Sequence, residues 1–221
     1  MIRRNLWMGL LILFVLASCK KNEIETTPLA SLQVTNAVGD GSTLQFGTNA
    51  ATIAGYSATA FGMLAGNRQV SLVATEAPNT IYYDKTHNFV NGGVYSLFLA
   101  GTSATETVFI KEKNIVSHTD NVFGIRVINL SVGKTPISVN LAGTASGSLI
   151  PSLAYKAISD FRSVSASSEE GTKTFEFRHA ETGDLITAFD VPDYDLPRFR
   201  NITLVFVGLA GNELVFRVNN Y

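Results

Sequence analysis

One thiol, three imidazoles and a few carboxylates are the side chains with which this sequence could do chemistry. Cys19 is the only cysteine, so no disulfide can staple the fold. His87, His118 and His179 are the only histidines. No two of them have a ligand-like spacing and no His-Glu-x-x-His occurs, so solvent-exposed loop histidines are expected rather than a zinc site. Asp190, Asp193 and Asp195 gather oxygens around Pro192. Calcium wants about six to eight oxygens on a loop of defined spacing, which this segment lacks, so a solvated turn is expected. Ser103 in Gly101-Thr102-Ser103-Ala104-Thr105 has no closing glycine of a nucleophile elbow. Glu169-Glu170 lies in a Ser-rich stretch where like charges stay wet. Gly39-Asp40-Gly41-Ser42 is too short to cradle a phosphate and reads as a hairpin turn. These residues predict no enzyme, no metal and no cofactor. Tyr82 and Tyr83 are the remaining candidates for ligand contact. Neighbours on a strand face opposite ways, so one should be exposed if the other is buried, beside Asn79 and Asp84. An exposed tyrosine could stack on a sugar.

The segment that would position Cys19 is the N-terminal leader. Arg3 and Arg4 precede an apolar run from Leu6 to Val15, which leads to Leu16-Ala17-Ser18-Cys19. The run is shorter than the roughly 20 residues of a spanning helix, as secretory signals are. The segment resembles a bacterial lipoprotein signal, with Leu-x-x-Cys as its lipobox. That resemblance implies cleavage before Cys19 and lipidation of its thiol and new amine. Acyl chains contribute about 0.8 kcal/mol per buried methylene, so the partner implied is a membrane held through the lipid. The implied address is the cell envelope, at the outer membrane of a Gram-negative bacterium. The polar, proline-terminated stretch from Lys20 to Pro28 reads as a tether with a reach of about 35 Å at most.

Loss of residues 1–18 removes only Arg3 and Arg4 and moves the formal charge from −1 to −3, too mild a balance to suggest nucleic acid. With only 16% charged residues and plentiful Thr, Ser, Asn and Val, the composition is β-rich. Short alternating segments follow: 31–37, 43–46, 56–64, 69–75, 80–84, 93–100 and 107–111, with a three-residue hairpin signal at Ala65-Gly66-Asn67. They predict an antiparallel two-sheet sandwich of immunoglobulin-like kind, although Cys…Trp…Cys is absent.

The pattern then restarts. Gly124–Leu130 lies over Ser31–Ala37, and Tyr155…Ser159-Asp160-Phe161-x-x-Val164 echoes Tyr56…Thr59-Ala60-Phe61-x-x-Leu64. Phe206-Val207-Gly208-Leu209-Ala210-Gly211 echoes Phe98-Leu99-Ala100-Gly101, and Glu213–Phe216 echoes Glu106–Phe109. This order predicts a duplication. The expected division is a leader over 1–18, Cys19 and tether over 19–30, one sandwich over 31–116 and a second over 117–221. Phe206 and Phe216 are expected in the core of the second.

These repeats resemble an uncharacterised family of secreted and lipid-anchored bacterial envelope proteins, often in tandem copies. Leu32–Asp40 with Leu44-Gln45-Phe46 carries the likeness in the first copy, and Ile125–Ser131 with Ile137-Ser138-Val139 in the second. The resemblance implies a sandwich fold and an envelope address, and it brings no catalytic residue. The expected function is that of a non-catalytic binding, adhesive or structural module whose partner is an envelope protein or glycan. A surface glycan-binding accessory role is the alternative.

Overall fold

The computed structural model describes residues 27–47, 51–101, 106–113 and 115–220. The expectations for the leader, Cys19, most of the tether and Ser103 therefore lie outside the described residues. Sixteen strands carry the described chain. The first eight are β1 (Leu29–Val38), β2 (Leu44–Phe46), β3 (Thr52–Ile53), β4 (Ser57–Leu64), β5 (Gly66–Ala74), β6 (Ile81–Phe89), β7 (Val94–Gly101) and β8 (Glu106–Lys111). The second eight are β9 (Val122–Asn129), β10 (Ile137–Leu141), β11 (Ile150–Leu153), β12 (Arg162–Ser165), β13 (Lys173–His179), β14 (Leu185–Val191), β15 (Asn201–Leu209) and β16 (Asn212–Asn219).

They form four four-stranded sheets: β4-β1-β7-β8, β3-β2-β5-β6, β12-β9-β15-β16 and β11-β10-β13-β14. Raising every number in the first two orders by eight yields the last two, so the duplication extends to topology. Pairing is antiparallel except at the centre of two sheets, where β1 runs parallel to β7 and β9 to β15.

Alternation on the central strands fills two cores. Leu32, Val34, Leu97 and Leu99 meet Leu44, Val70, Leu72 and Phe89 of the facing sheet. Ile125, Val127, Leu204 and Phe206 meet Val139, Phe175 and Phe177, with Phe177 and Phe206 stacked at 5.5 Å. Phe206 is thus a core residue of the second sandwich, as its sequence suggests.

Inside each sandwich one buried asparagine ties three segments. Asn36 Nδ2 donates to the carbonyls of Ser42 and Ile53, and its Oδ1 accepts from the Val38 amide. Asn129 repeats this with Thr135, Leu153 and the Ser131 amide. Buried carbonyls left by the sheet crossings are satisfied this way, which explains why both side chains are fully covered.

Several expectations change. Gly39–Ser42 and Ala65-Gly66-Asn67 are not hairpins: β1 and β2 lie in different sheets, as do β4 and β5. The chain turns at both, and Gly66, at φ +96°, takes the backbone from one layer to the other. Turn chemistry is local, whereas the choice of pairing partner is not. The first sandwich gains an eighth strand, the two-residue β3. The histidines are not exposed loop residues either. His87 and His179 lie in strands and are half-buried, and His118 is half-buried with Nε2 2.9 Å from Asn201 Oδ1. Gly124 makes room for that contact, since a Cβ there would stand 2.0 Å from Asn201 Oδ1.

Phe216 is also displaced from its expected place. The β15–β16 register sets Phe216 opposite Val205, and Val205 occupies the place of Phe98. Phe216 therefore corresponds to Val108, not to Phe109, and points away from its own sandwich core. It packs instead in a third cluster with Ala37, Phe98, Ala100, Ile128, Val205 and Val207.

Candidate functional site

That third cluster lies between the two sandwiches. Sheet β4-β1-β7-β8 has a second apolar face, formed by Ala37, Phe98 and Ala100, and sheet β12-β9-β15-β16 has its counterpart in Leu130, Val205 and Val207. The two faces cover one another. Burying a single Phe98 contributes about 1.5–3 kcal/mol, so the joined faces make a substantial second source of stability. Tyr56 stands edge-on to Phe216 with ring centroids 5.8 Å apart. Lys156, which fills the place of Tyr56 and shares its positive φ, pairs with Glu106 of the first repeat. Equivalent surfaces thus meet, in a pseudo-two-fold arrangement.

A buried polar chain closes the same junction. Glu112 accepts from Ser96 Oγ and from both terminal nitrogens of Arg126, each at 2.7 Å. Arg126 Nε donates to Thr203 Oγ1 at 2.9 Å, and Thr203 donates to Asn220 Oδ1 at 2.6 Å. Asn220 Nδ2 then donates to Gln33 Oε1, while Gln33 Nε2 reaches the Asn219 carbonyl. The pairs are pseudo-symmetric: Gln33 matches Arg126, Ser96 matches Thr203, and Glu112 matches Asn220. The last match is visible in the backbone, where Glu112 N bonds the Val94 carbonyl and Asn220 N the Asn201 carbonyl. The Glu112 and Arg126 side chains are only 4% and 5% exposed, so this is a desolvated, bidentate pair.

The sheets' common direction sets two poles. The chain enters at Leu29, and β1, β7, β9 and β15 all run toward the opposite end. There their last residues line an apolar cleft of about 260 Å³ on the pseudo-axis, between Ala37, Gly39 and Gly101 on one side and Leu130, Val132 and Gly208 on the other. Beside it, at the same end of the first sandwich, is a polar hollow of about 420 Å³ lined by Asp40, Ser42, Thr43, Glu76, Thr80 and Tyr82.

Tyr82 and Tyr83 fall differently from strict alternation, because the β5–β6 register slips between Leu72 and Val73. Neither is exposed. Tyr83 is buried in the first core, with its hydroxyl 2.6 Å from His87 Nε2. Tyr82 packs partly against that core and donates to Asp40 Oδ2 at 2.8 Å, with Ser42 Oγ 3.1 Å away. Partial burial opposes ionisation of Asp40, but the Ser42 amide and the Tyr82 and Ser42 hydroxyls outweigh it and hold the carboxyl below its usual range. Ser42 favours ionisation of the Tyr82 phenol, yet burial and the Asp40 charge prevail and raise it. The hollow therefore offers an anionic carboxylate, a neutral phenol and hydroxyls, the groups that bind polyols through directed hydrogen bonds.

The other candidates do not converge. Asp190 accepts from Thr174, Asp193 from the Tyr194 amide, and Asp195 pairs with Arg217 at 2.8 Å. Glu170 holds Lys173 and Ser165. Among the described residues no three His, Cys, Asp or Glu side chains are grouped to hold a metal ion. Sequence reasoning missed Glu112, Arg126 and Gln33. Arg126 alone carried a signal, a charge on the face that Ile128 and Leu130 continue. Gln33 alternates with Ser31 and Thr35 as an ordinary polar face does, and Glu112 follows the end of β8, so none of them reveals its partner. Compared with known proteins, the chain matches no family model and no curated sequence.

Proposed function

We propose that this protein is a lipid-anchored cell-envelope module, attached through Cys19 to the outer membrane, that works as a non-catalytic binding, adhesive or structural element. The observation that carries this reading is the leader: Arg3-Arg4, an apolar run too short to span, and Leu16-Ala17-Ser18-Cys19. Two sandwiches fused face to face suit the role, since they hold the cleft and the hollow at the pole farthest from the tether. Among the described residues no helix is long and apolar enough to cross a membrane. Cys19→Ser is expected to leave an unprocessed precursor that takes up no labelled palmitate. Normal labelling of that variant would refute the anchor.

The polar hollow favours a second reading, a glycan-binding accessory role. In that case Tyr82→Phe, which removes one hydroxyl from the Asp40–Ser42 group, should weaken binding on a glycan array. An array with no hits for the parent chain removes this alternative.

A further inference from the structure

The exposed large apolar side chains are distributed unevenly between the two poles. Among the described residues, all of them except Ile81, Leu185 and Leu209 lie at the end where the chain enters. Leu29 opens β1 and is 49% exposed; Leu64, its register partner, closes β4. Val90 lies in the turn between β6 and β7, whose Gly92 amide donates to the Leu29 carbonyl. Ile115 shares a shallow depression with Val90 and follows Lys113 in the connection from β8 to β9. Phe199 is 53% exposed, and its amide donates to the carbonyl of Val122 at the start of β9. Tyr194, 88% exposed, stands in the same connection between β14 and β15.

Cations border this apolar pole. Lys111, Lys113, Arg198 and Arg200 are exposed there, and among the described residues none of them pairs with a carboxylate. Of the acids exposed at the same end, Glu170 and Asp195 are held by Lys173 and Arg217, which leaves Asp120, Glu169 and Asp193 without a cation partner among the described residues. Scattered aliphatics, two aromatics and free cations are the composition of a surface that meets the headgroup region of a bilayer.

The occupant follows from the chain outside the described residues. Only nine residues separate Cys19 from Leu29, a reach of about 35 Å at most, and Leu29 lies at this pole. We infer that the pole formed by Leu29, Leu64, Val90, Ile115, Tyr194 and Phe199 rests on the lipid surface, so that the double sandwich stands upright on the membrane. This rests on the lipid anchor proposed above. The lipid supplies attachment, the pole supplies orientation, and the cleft and hollow are thereby turned away from the bilayer.

Trp7, the only tryptophan, lies in the leader, so a processed chain carries none and any introduced tryptophan is the sole indole fluorophore. The lipidated chain carrying Phe199→Trp, Val90→Trp or Leu209→Trp would be reconstituted into vesicles of phosphatidylethanolamine and phosphatidylglycerol, with and without brominated acyl chains. All three positions are exposed, so the fold should tolerate each change. The expected result is blue-shifted emission at 199 and 90 that brominated lipid largely abolishes, with emission at 209 unchanged. If the protein sediments with the vesicles but positions 199 and 90 are no more quenched than 209, the upright pole is wrong and the anchor stands. If the chain does not sediment with vesicles at all, both fail.

Discussion

Removing the Glu112 carboxylate tests the junction between the sandwiches at its most sensitive point. In Glu112→Ala the Arg126 guanidinium keeps Thr203 but loses both bidentate bonds while 95% of its side chain stays out of water. Leaving such a buried charge unpaired costs about 3–5 kcal/mol. For a chain of this size 1 kcal/mol moves Tm by about 2–4 °C, so a fall of roughly 6–20 °C is expected. Thermal unfolding followed by circular dichroism and tyrosine fluorescence measures it. The double variant Glu112→Leu, Arg126→Met replaces the pair with apolar volume and should regain most of the loss, because the cost is that of the stranded charge. If Glu112→Ala melts within about 2 °C of the parent, the pair behaves as an exposed surface bridge and the two faces are not joined in solution.

Asn36→Ala and Asn129→Ala should each destabilise by about 1–3 kcal/mol in urea titrations, because each strands two carbonyls and an amide; equal losses at both positions would support their equivalence. His87 gives a pH dependence. Burial, and then the Lys85 charge, lower its pKa, so the folded state binds a proton less readily than the unfolded chain. Its contribution is fully present above the unfolded value of about 6.5 and is lost as pH falls from there through the lowered folded value. His87 also stacks on Phe109 with centroids 3.7 Å apart. The aromatic variant His87→Phe should therefore keep its fold and lose less stability than the parent between about pH 7.5 and about pH 5.5, which spans that unfolded value. Parallel pH profiles would refute the assignment.

The sequence reveals which faces are apolar more readily than what covers them. Leu214, Phe216 and Val218 alternate with Glu213, Arg217 and Asn219 and do share one packed face, while Val215, on the other face, packs against the second core. The cover of Leu214, Phe216 and Val218, however, is the other sandwich rather than their own facing sheet. Matching Phe216 to Phe109 and Phe206 to Phe98 by aromatic identity is a slip of one residue, and in a strand that exchanges faces. By register, Phe206 stands where Leu99 does and fills a core, while Phe98 faces the junction. Ser31–Ala37 and Gly124–Leu130 aligned correctly because each carries its asparagine at the same step, followed by the same crossing. The hollow at Tyr82 was only half legible. The tyrosines themselves are conspicuous, but the register slip that half-buries one and fully buries the other depends on pairing with β5.

The central structural claim is that two repeats of one fold meet through equivalent faces. Fragments 27–113 and 115–220 would be prepared separately, and the first, isotopically labelled, titrated with the second and followed through its amide resonances. Each fragment holds one complete core and should fold alone. Addition of the second is expected to shift the amides of β1, β7 and β8, together with Gln33 and Glu112, and to leave those of β5 unchanged. Two folded fragments that mix without any shift, or shifts confined to β5 and β6, would contradict it.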